Sequence, residues 1–156
     1  MRSKELEIEL VKEKKDIPFE LLEVADPSTE HIQSYLKTGS CYIAKNQKKL
    51  IGVLVLNAID SETAEIKNIA IKESEQGKGF GKKILQVAEM IAKEKGYQKL
   101  IIGTGNSSVG QLALYQKAGF EMQSIKKDFF LKNYSELIFE NGIQCKHMVV
   151  LEKSIT

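Results

Sequence analysis

The residues with the most explicit chemistry are Gln76-Gly77-Lys78-Gly79-Phe80-Gly81. Three glycines in five positions allow a tight turn that brings backbone N–H groups against a ligand, and a helix pattern begins directly behind them. Such a segment cradles an anion. The dinucleotide loop G-x-G-x-x-G is excluded because it needs glycine where Lys82 stands, and the P-loop G-x-x-x-x-G-K-[ST] fits nowhere. A second stretch, Gly105 to Gly110, has the P-loop glycine spacing but continues as Gln111-Leu112. Cys145-x-His147 offers two metal donors without a second pair at metal-site spacing, so no metal is expected.

The elements that must position the loop are legible on both sides of it. Ala64 to Ile71 reads as a strand, and Lys82 to Lys95 places Ile84, Leu85, Ala88, Ile91 and Ala92 at helical spacing before a Gly96 stop. Another apolar strand, Lys99 to Gly103, follows, and then a short helix ending Leu114-Tyr115-Gln116-Lys117-Ala118-Gly119-Phe120. Upstream, Glu5 to Val11 alternates like a half-buried strand. Phe19 to Val24 and Glu30 to Lys37 read as helices, the second capped by Ser28 or Thr29 and closed by Gly39. Cys41 to Lys45 and Leu50 to Ile59 are strands around an Asn46-Gln47-Lys48 turn, and Asp60-Ser61-Glu62 turns the chain into the next strand. Strands toward Ile125 and from Gln144 to Leu151 close the chain. The segment from Lys126 to Gly142 is too apolar for a solvated loop. The order β-α-α-β-β-β-α-β-α-β-β predicts an α/β fold, a mixed sheet with helices on both faces.

Composition bounds the rest. With 156 residues, the chain supports one core and is expected to form a single domain over 1–156. Lys and Arg number 23 against 21 Asp and Glu, interspersed, which is no nucleic-acid footprint. Met1 to Lys15 lacks an apolar core for a signal peptide, and the longest apolar run, Leu50 to Ile59, is too short to cross a bilayer. A cytoplasmic protein without a membrane partner is expected, with Cys41 and Cys145 as reduced structural thiols.

The pattern Q/R-x-x-G-x-G/A, filled by Gln76, Gly79 and Gly81, resembles the acetyl-coenzyme A pyrophosphate loop of the GNAT superfamily of N-acetyltransferases. Ile69-Ala70-Ile71 stands where that family has a hydrophobic-Ala-hydrophobic strand end, and Leu114-Tyr115-x-x-x-Gly119-Phe120 is similar to its second motif. The resemblance implies a small single-domain bacterial-type member whose mostly antiparallel sheet is splayed between its fourth and fifth strands. It also implies acetyl transfer from acetyl-coenzyme A to an amine by direct attack in a ternary complex. The rival is a catalytically silent acyl-coenzyme A sensor.

On that resemblance, Gln76, Gly77, Lys78, Gly79, Phe80, Gly81 and Lys82 hold the pyrophosphate, while the strand Ile69-Ala70-Ile71 pairs with the pantetheine arm. Glu65 occupies the position of a catalytic glutamate, with relay through water as the alternative. Tyr115 is the expected acid for the departing thiolate, with a core tyrosine as the alternative. Where many members carry asparagine seven residues before that tyrosine this chain has Ser108, so either Asn106 or Ser108 contacts the cofactor. Regular strand pairing sets Asn68 on the opposite face from Glu65. The acceptor side offers Phe19, Phe129, Phe130, Tyr134 and Phe139 beside Glu20, Glu23, Asp128, Glu136 and Glu140. Those aromatics suit either an amine pocket or a homo-oligomer interface.

Overall fold

The computed structural model describes residues 5–156. Residues 1–4, the start of the charged N-terminal stretch and of the expected 1–156 domain, lie outside the described residues. Strand β1 (Glu7–Leu10) leads to helices α1 (Phe19–Ala25) and α2 (Thr29–Thr38), then to strands β2 (Ser40–Asn46), β3 (Lys49–Ala58) and β4 (Thr63–Ile71). Helix α3 (Phe80–Glu94), β5 (Lys99–Gly105), α4 (Val109–Lys117) and β6 (Glu121–Lys126) follow. The chain ends with α5 (Phe129–Asn133), a small hairpin of β7 (Phe139–Glu140) and β8 (Ile143–Gln144), and β9 (Met148–Ser154).

Local chemistry accounts for most boundaries. Ser28 Oγ accepts the His31 N–H at 3.2 Å and caps α2. Gln47 and Lys48 take φ of 51° and 68°, the left-handed pair that a two-residue hairpin turn requires. On α3 the periodic face of Phe80, Ile84, Leu85, Ala88 and Ala92 is buried.

One seven-stranded sheet runs β1-β2-β3-β4-β5-β9-β6, antiparallel at every step except the parallel β4/β5 pair. Helices α1 and α2 cover one face over Leu22, Ile32, Val53, Val55 and Ala70, and α3 and α4 cover the other over Leu54, Ile66, Leu100, Ile102 and Leu151. The β4/β5 register spans only Thr63↔Lys99 to Ile66↔Ile102, after which β4 continues to Ile71 and β5 to Gly105 without pairing. That is the expected splay between the fourth and fifth strands. Among the described residues no helix is long and apolar enough to cross a membrane.

Two expectations need correction. Val55 pairs with Asn68 and Leu56 with Ile66, so Lys67 is an extra residue, a β-bulge. The bulge puts Asn68 on the same face as Glu65, not the opposite one. The last strand also begins later than Gln144, because the N–H groups of Lys146 and His147 are taken by Asn106 Oδ1, both at 2.8 Å, and cannot join the ladder. Cys41 and Cys145 are both buried free thiols.

Candidate active site

The glycine loop presents backbone donors. Gln76 N–H goes to Glu73 O and Lys83 N–H to Gly79 O, but the six consecutive N–H groups from Gly77 to Lys82 reach no acceptor among the described residues. Three of them belong to the first turn of α3, where unpaired N–H groups concentrate partial positive charge. Gly77 and Gly79 have φ of 78° and 87°, and a Cβ built on either would meet nothing within 4 Å. Glycine is therefore favoured by backbone conformation and not by crowding, and the space before it is open. Gln76 Nε2 donates to Ile71 O at 3.0 Å, tying the loop to the end of β4, and buried Phe80 anchors the helix start. Lys82 lines the opening, while Lys78 turns aside to a surface ion pair with Glu75 at 3.2 Å.

From this cradle a groove of about 580 Å³ runs along Ile69-Ala70-Ile71 and is walled opposite by Gly110, Gln111, Leu114 and Tyr115. A second cavity of about 360 Å³ passes through the splay, lined by Asn68, Ile102 to Gly105 and the segment after β6. Tyr115 and Ile69 line both. With Val24, Ala25 and Gln111, they mark where the groove from the glycine loop meets the second pocket. Tyr115 is 4% exposed, stands 6.3 Å from the Phe120 ring, and its hydroxyl has no hydrogen bond to another described residue. Burial pushes the phenol well above its ordinary value, so it keeps its proton at neutral pH.

The second pocket is acidic and aromatic. Of the ten acceptor-side residues expected, Phe130, Tyr134, Glu23 and Glu140 line it. Phe19 and Glu20 face a different cleft beside Leu50 and Lys72. Phe129 packs edge-on against Phe130, Phe139 is 62% exposed, and the Asp128 N–H donates to His147 Nδ1 at 2.9 Å.

Two lining residues escaped the sequence reading. Asp26, between α1 and α2, accepts the Tyr134 hydroxyl at 2.8 Å and the Ser28 N–H at 3.0 Å on Oδ1, and the Tyr35 hydroxyl at 3.2 Å on Oδ2. Burial and then the neighbouring Asp26 charge raise the Tyr134 phenol, and burial dominates at Tyr35. Asn68 Nδ2 donates to Tyr35 Oη at 2.8 Å and to Leu22 O at 3.0 Å. Its Oδ1 is buried without a partner among the described residues. Asp26 and Tyr134 lie 108 residues apart, and no local pattern announces the pair.

Two expected site residues sit elsewhere. Glu65 stands in the closed part of the β4/β5 pair, opposite Ile101, lines neither cavity, and forms an ion pair with Lys67 at 3.0 Å. Asn106 donates from Nδ2 to Gln144 O at 3.1 Å and accepts two N–H groups on Oδ1, so its carboxamide is consumed in holding the chain before β9. Ser108 does face the second pocket, where its hydroxyl donates to Glu140 at 2.8 Å, joined by Ser107 at 2.9 Å. The loop after β5 therefore anchors the pocket wall.

Comparison with known proteins adds three kinds of likeness. The model of the family described as "Acetyltransferase (GNAT) family" matches residues 8–120. The "Uncharacterized N-acetyltransferase YvbK" of Bacillus subtilis is 51% identical over 151 residues, 97% of each chain. Among solved structures, a GNAT family acetyltransferase from Elizabethkingia anophelis with acetyl-CoA bound superposes with a TM-score of 0.93 at 48% identity, over 96% of this chain and 97% of that one. An IAA acetyltransferase from Bacillus cereus reaches 0.92 at 49% identity, over 96% and 99%.

Proposed function

The chain belongs to the GNAT acetyltransferase family, and from that premise we propose that it transfers the acetyl group of acetyl-coenzyme A to a primary amine of a small molecule or peptide, by direct attack in a ternary complex. The observation that carries the reading is one continuous path. Free N–H groups of the Gly77–Lys82 loop lead along the unpaired edge of β4 to Tyr115, and from there into a pocket lined by Glu23, Asp26 and Glu140.

Acetyl-coenzyme A supplies the thioester. The loop receives its pyrophosphate, and the backbone of Ile69 to Ile71 offers its arm the hydrogen bonds a neighbouring strand would make. The amine lone pair forms the new bond to the acetyl carbon, the carbon–sulfur bond breaks, the sulfur takes the Tyr115 proton, and the proton shed by the acylated nitrogen returns through water to the Tyr115 oxygen. The carboxylates draw in an ammonium, and the orphaned Asn68 Oδ1 accepts an N–H from the ligand. With Glu65 tied to Lys67 outside both cavities, the ammonium proton leaves to water. We place the reaction in the cytoplasm.

Two results follow. At acetyl-coenzyme A a hundredfold above its dissociation constant, the protein gains about 2.7 kcal/mol and melts roughly 5–10 °C higher. Calorimetry at millimolar ligand reads this, and no shift would remove the coenzyme site. The second result concerns pH. A free alkyl ammonium has a pKa of about 10.4, which puts its neutral form about 4.6 kcal/mol higher at pH 7. Without an enzymic base, kcat/KM rises about tenfold per pH unit from about pH 6.5 to 9 as the neutral fraction grows. The raised phenol of Tyr115 puts the falling limb beyond this window. A plateau beginning near pH 7 would instead reveal a side-chain base. The assay, free-thiol release over an amine panel, should also carry IAA, for which the Bacillus cereus neighbour is named.

A further inference from the structure

Six of the eleven exposed large hydrophobic residues among the described residues fall between Met122 and Ile143, among them Met122 at 55% and Ile125 at 65% exposure. Strand β6 carries the first two and forms one margin of the sheet, paired only with β9 and exposed at all six positions. An uncovered edge is a template for another strand. Its sequence, Glu121-Met122-Gln123-Ser124-Ile125-Lys126, is complementary to itself when reversed.

We propose that β6 pairs antiparallel with β6 of a second copy of this chain, about a two-fold axis between Gln123 and Ser124, extending the sheet from seven strands to fourteen. In that register Glu121 stands opposite the copy's Lys126, and Met122 opposite its Ile125, each pair occurring twice. In a regular strand the register would fail, because residues 122 and 125 would point to opposite faces. Here it holds. Met122 pairs with Leu151 and Ser124 with Val150, leaving Gln123 as a bulge, and Ile125 then pairs with Val149. Leu151 and Val149 belong to the same core, so Met122 and Ile125 share one face, and Glu121 and Lys126, opposite Glu152 and Met148, share the other. Cross-strand apolar pairs on one face and opposite charges on the other are the contacts that stabilise antiparallel pairing. The opposite margin cannot do the same. Strand β1 has four residues, two of them Glu7 and Glu9, and self-pairing would bring carboxylates together.

Sedimentation equilibrium on the full chain tests this. The expected species has twice the 17.5 kDa chain mass in the micromolar range. Glu121→Lys and Lys126→Glu, each alone, replace two attractive pairs by two repulsive ones and should raise the dimer dissociation constant at least tenfold. The double reversal should restore it. Ile125→Glu should leave monomer. All three sites are on an exposed strand, so each of the four variants should keep the wild-type circular dichroism spectrum. A monomeric wild type at 100 µM chain overturns the proposal, as does a dimer indifferent to both single reversals. A double variant no better than the singles overturns the register.

Discussion

Replacing Tyr115 by Phe lowers kcat about a hundredfold, the usual scale for one general acid, while the Michaelis constant for acetyl-coenzyme A and the melting temperature stay nearly unchanged. The substitution removes one hydroxyl and almost no volume, so packing against Phe120 survives. A structural tyrosine would lose about 1 kcal/mol with its hydrogen bond. Here the hydroxyl bonds to no other described residue, so there is no such bond to lose. Tyr115 lines both cavities where they meet, and there its hydroxyl proton is of use to a leaving sulfur. Turnover and melting measured on one preparation separate the roles, and unchanged turnover would sink the acid assignment while leaving the family membership intact.

Gly79→Asp should have the larger effect on binding. Gly79 precedes α3 at a φ of 87°, a left-handed conformation that Asp tolerates better than most residues, and a Cβ there meets no neighbour. The fold therefore survives. The new carboxylate enters the open space that the free N–H groups surround, and places negative charge where a pyrophosphate must approach. The thermal shift with acetyl-coenzyme A should vanish, with affinity down by a hundredfold or more in titration calorimetry. A variant that binds as its parent does would show that the loop is not the phosphate site.

Elements whose signals are local were legible in advance. The strand before the glycine loop, the loop's own turn and the amphipathic α3 each follow from period, glycine placement and capping within a dozen residues. The splay followed from the family resemblance, since no residue in β4 announces where its pairing with β5 stops. What escaped depends on long-range commitments of side chains. Asn106 looked free to meet a ligand, but its three polar bonds go to residues 144–147, which no spacing rule connects to it. Strict alternation sets Glu65 and Asn68 on opposite faces, and the Lys67 bulge breaks that alternation between them. Asp26 sits in a short turn between helices and acquires its importance from Tyr134, the extended residue that follows α5 near the other end of the chain.

The splay also bears on how the protein avoids sticking to itself. Ordinarily the unpaired rims of a sheet lie at its two margins, where any extended chain can reach them. Beyond Ile66 and Ile102 this sheet has two more rims, and they are interior. Between them stand Tyr115 and Gln111 from α4 on one side and the end of α1 on the other. A polypeptide strand would have to set side chains on both of its faces against these helices, whereas an unbranched arm bearing amides can lie along the rim. The same opening thus favours a slender occupant, and it keeps the spare hydrogen-bonding capacity of β4 between helices and away from the margins where another chain would pair.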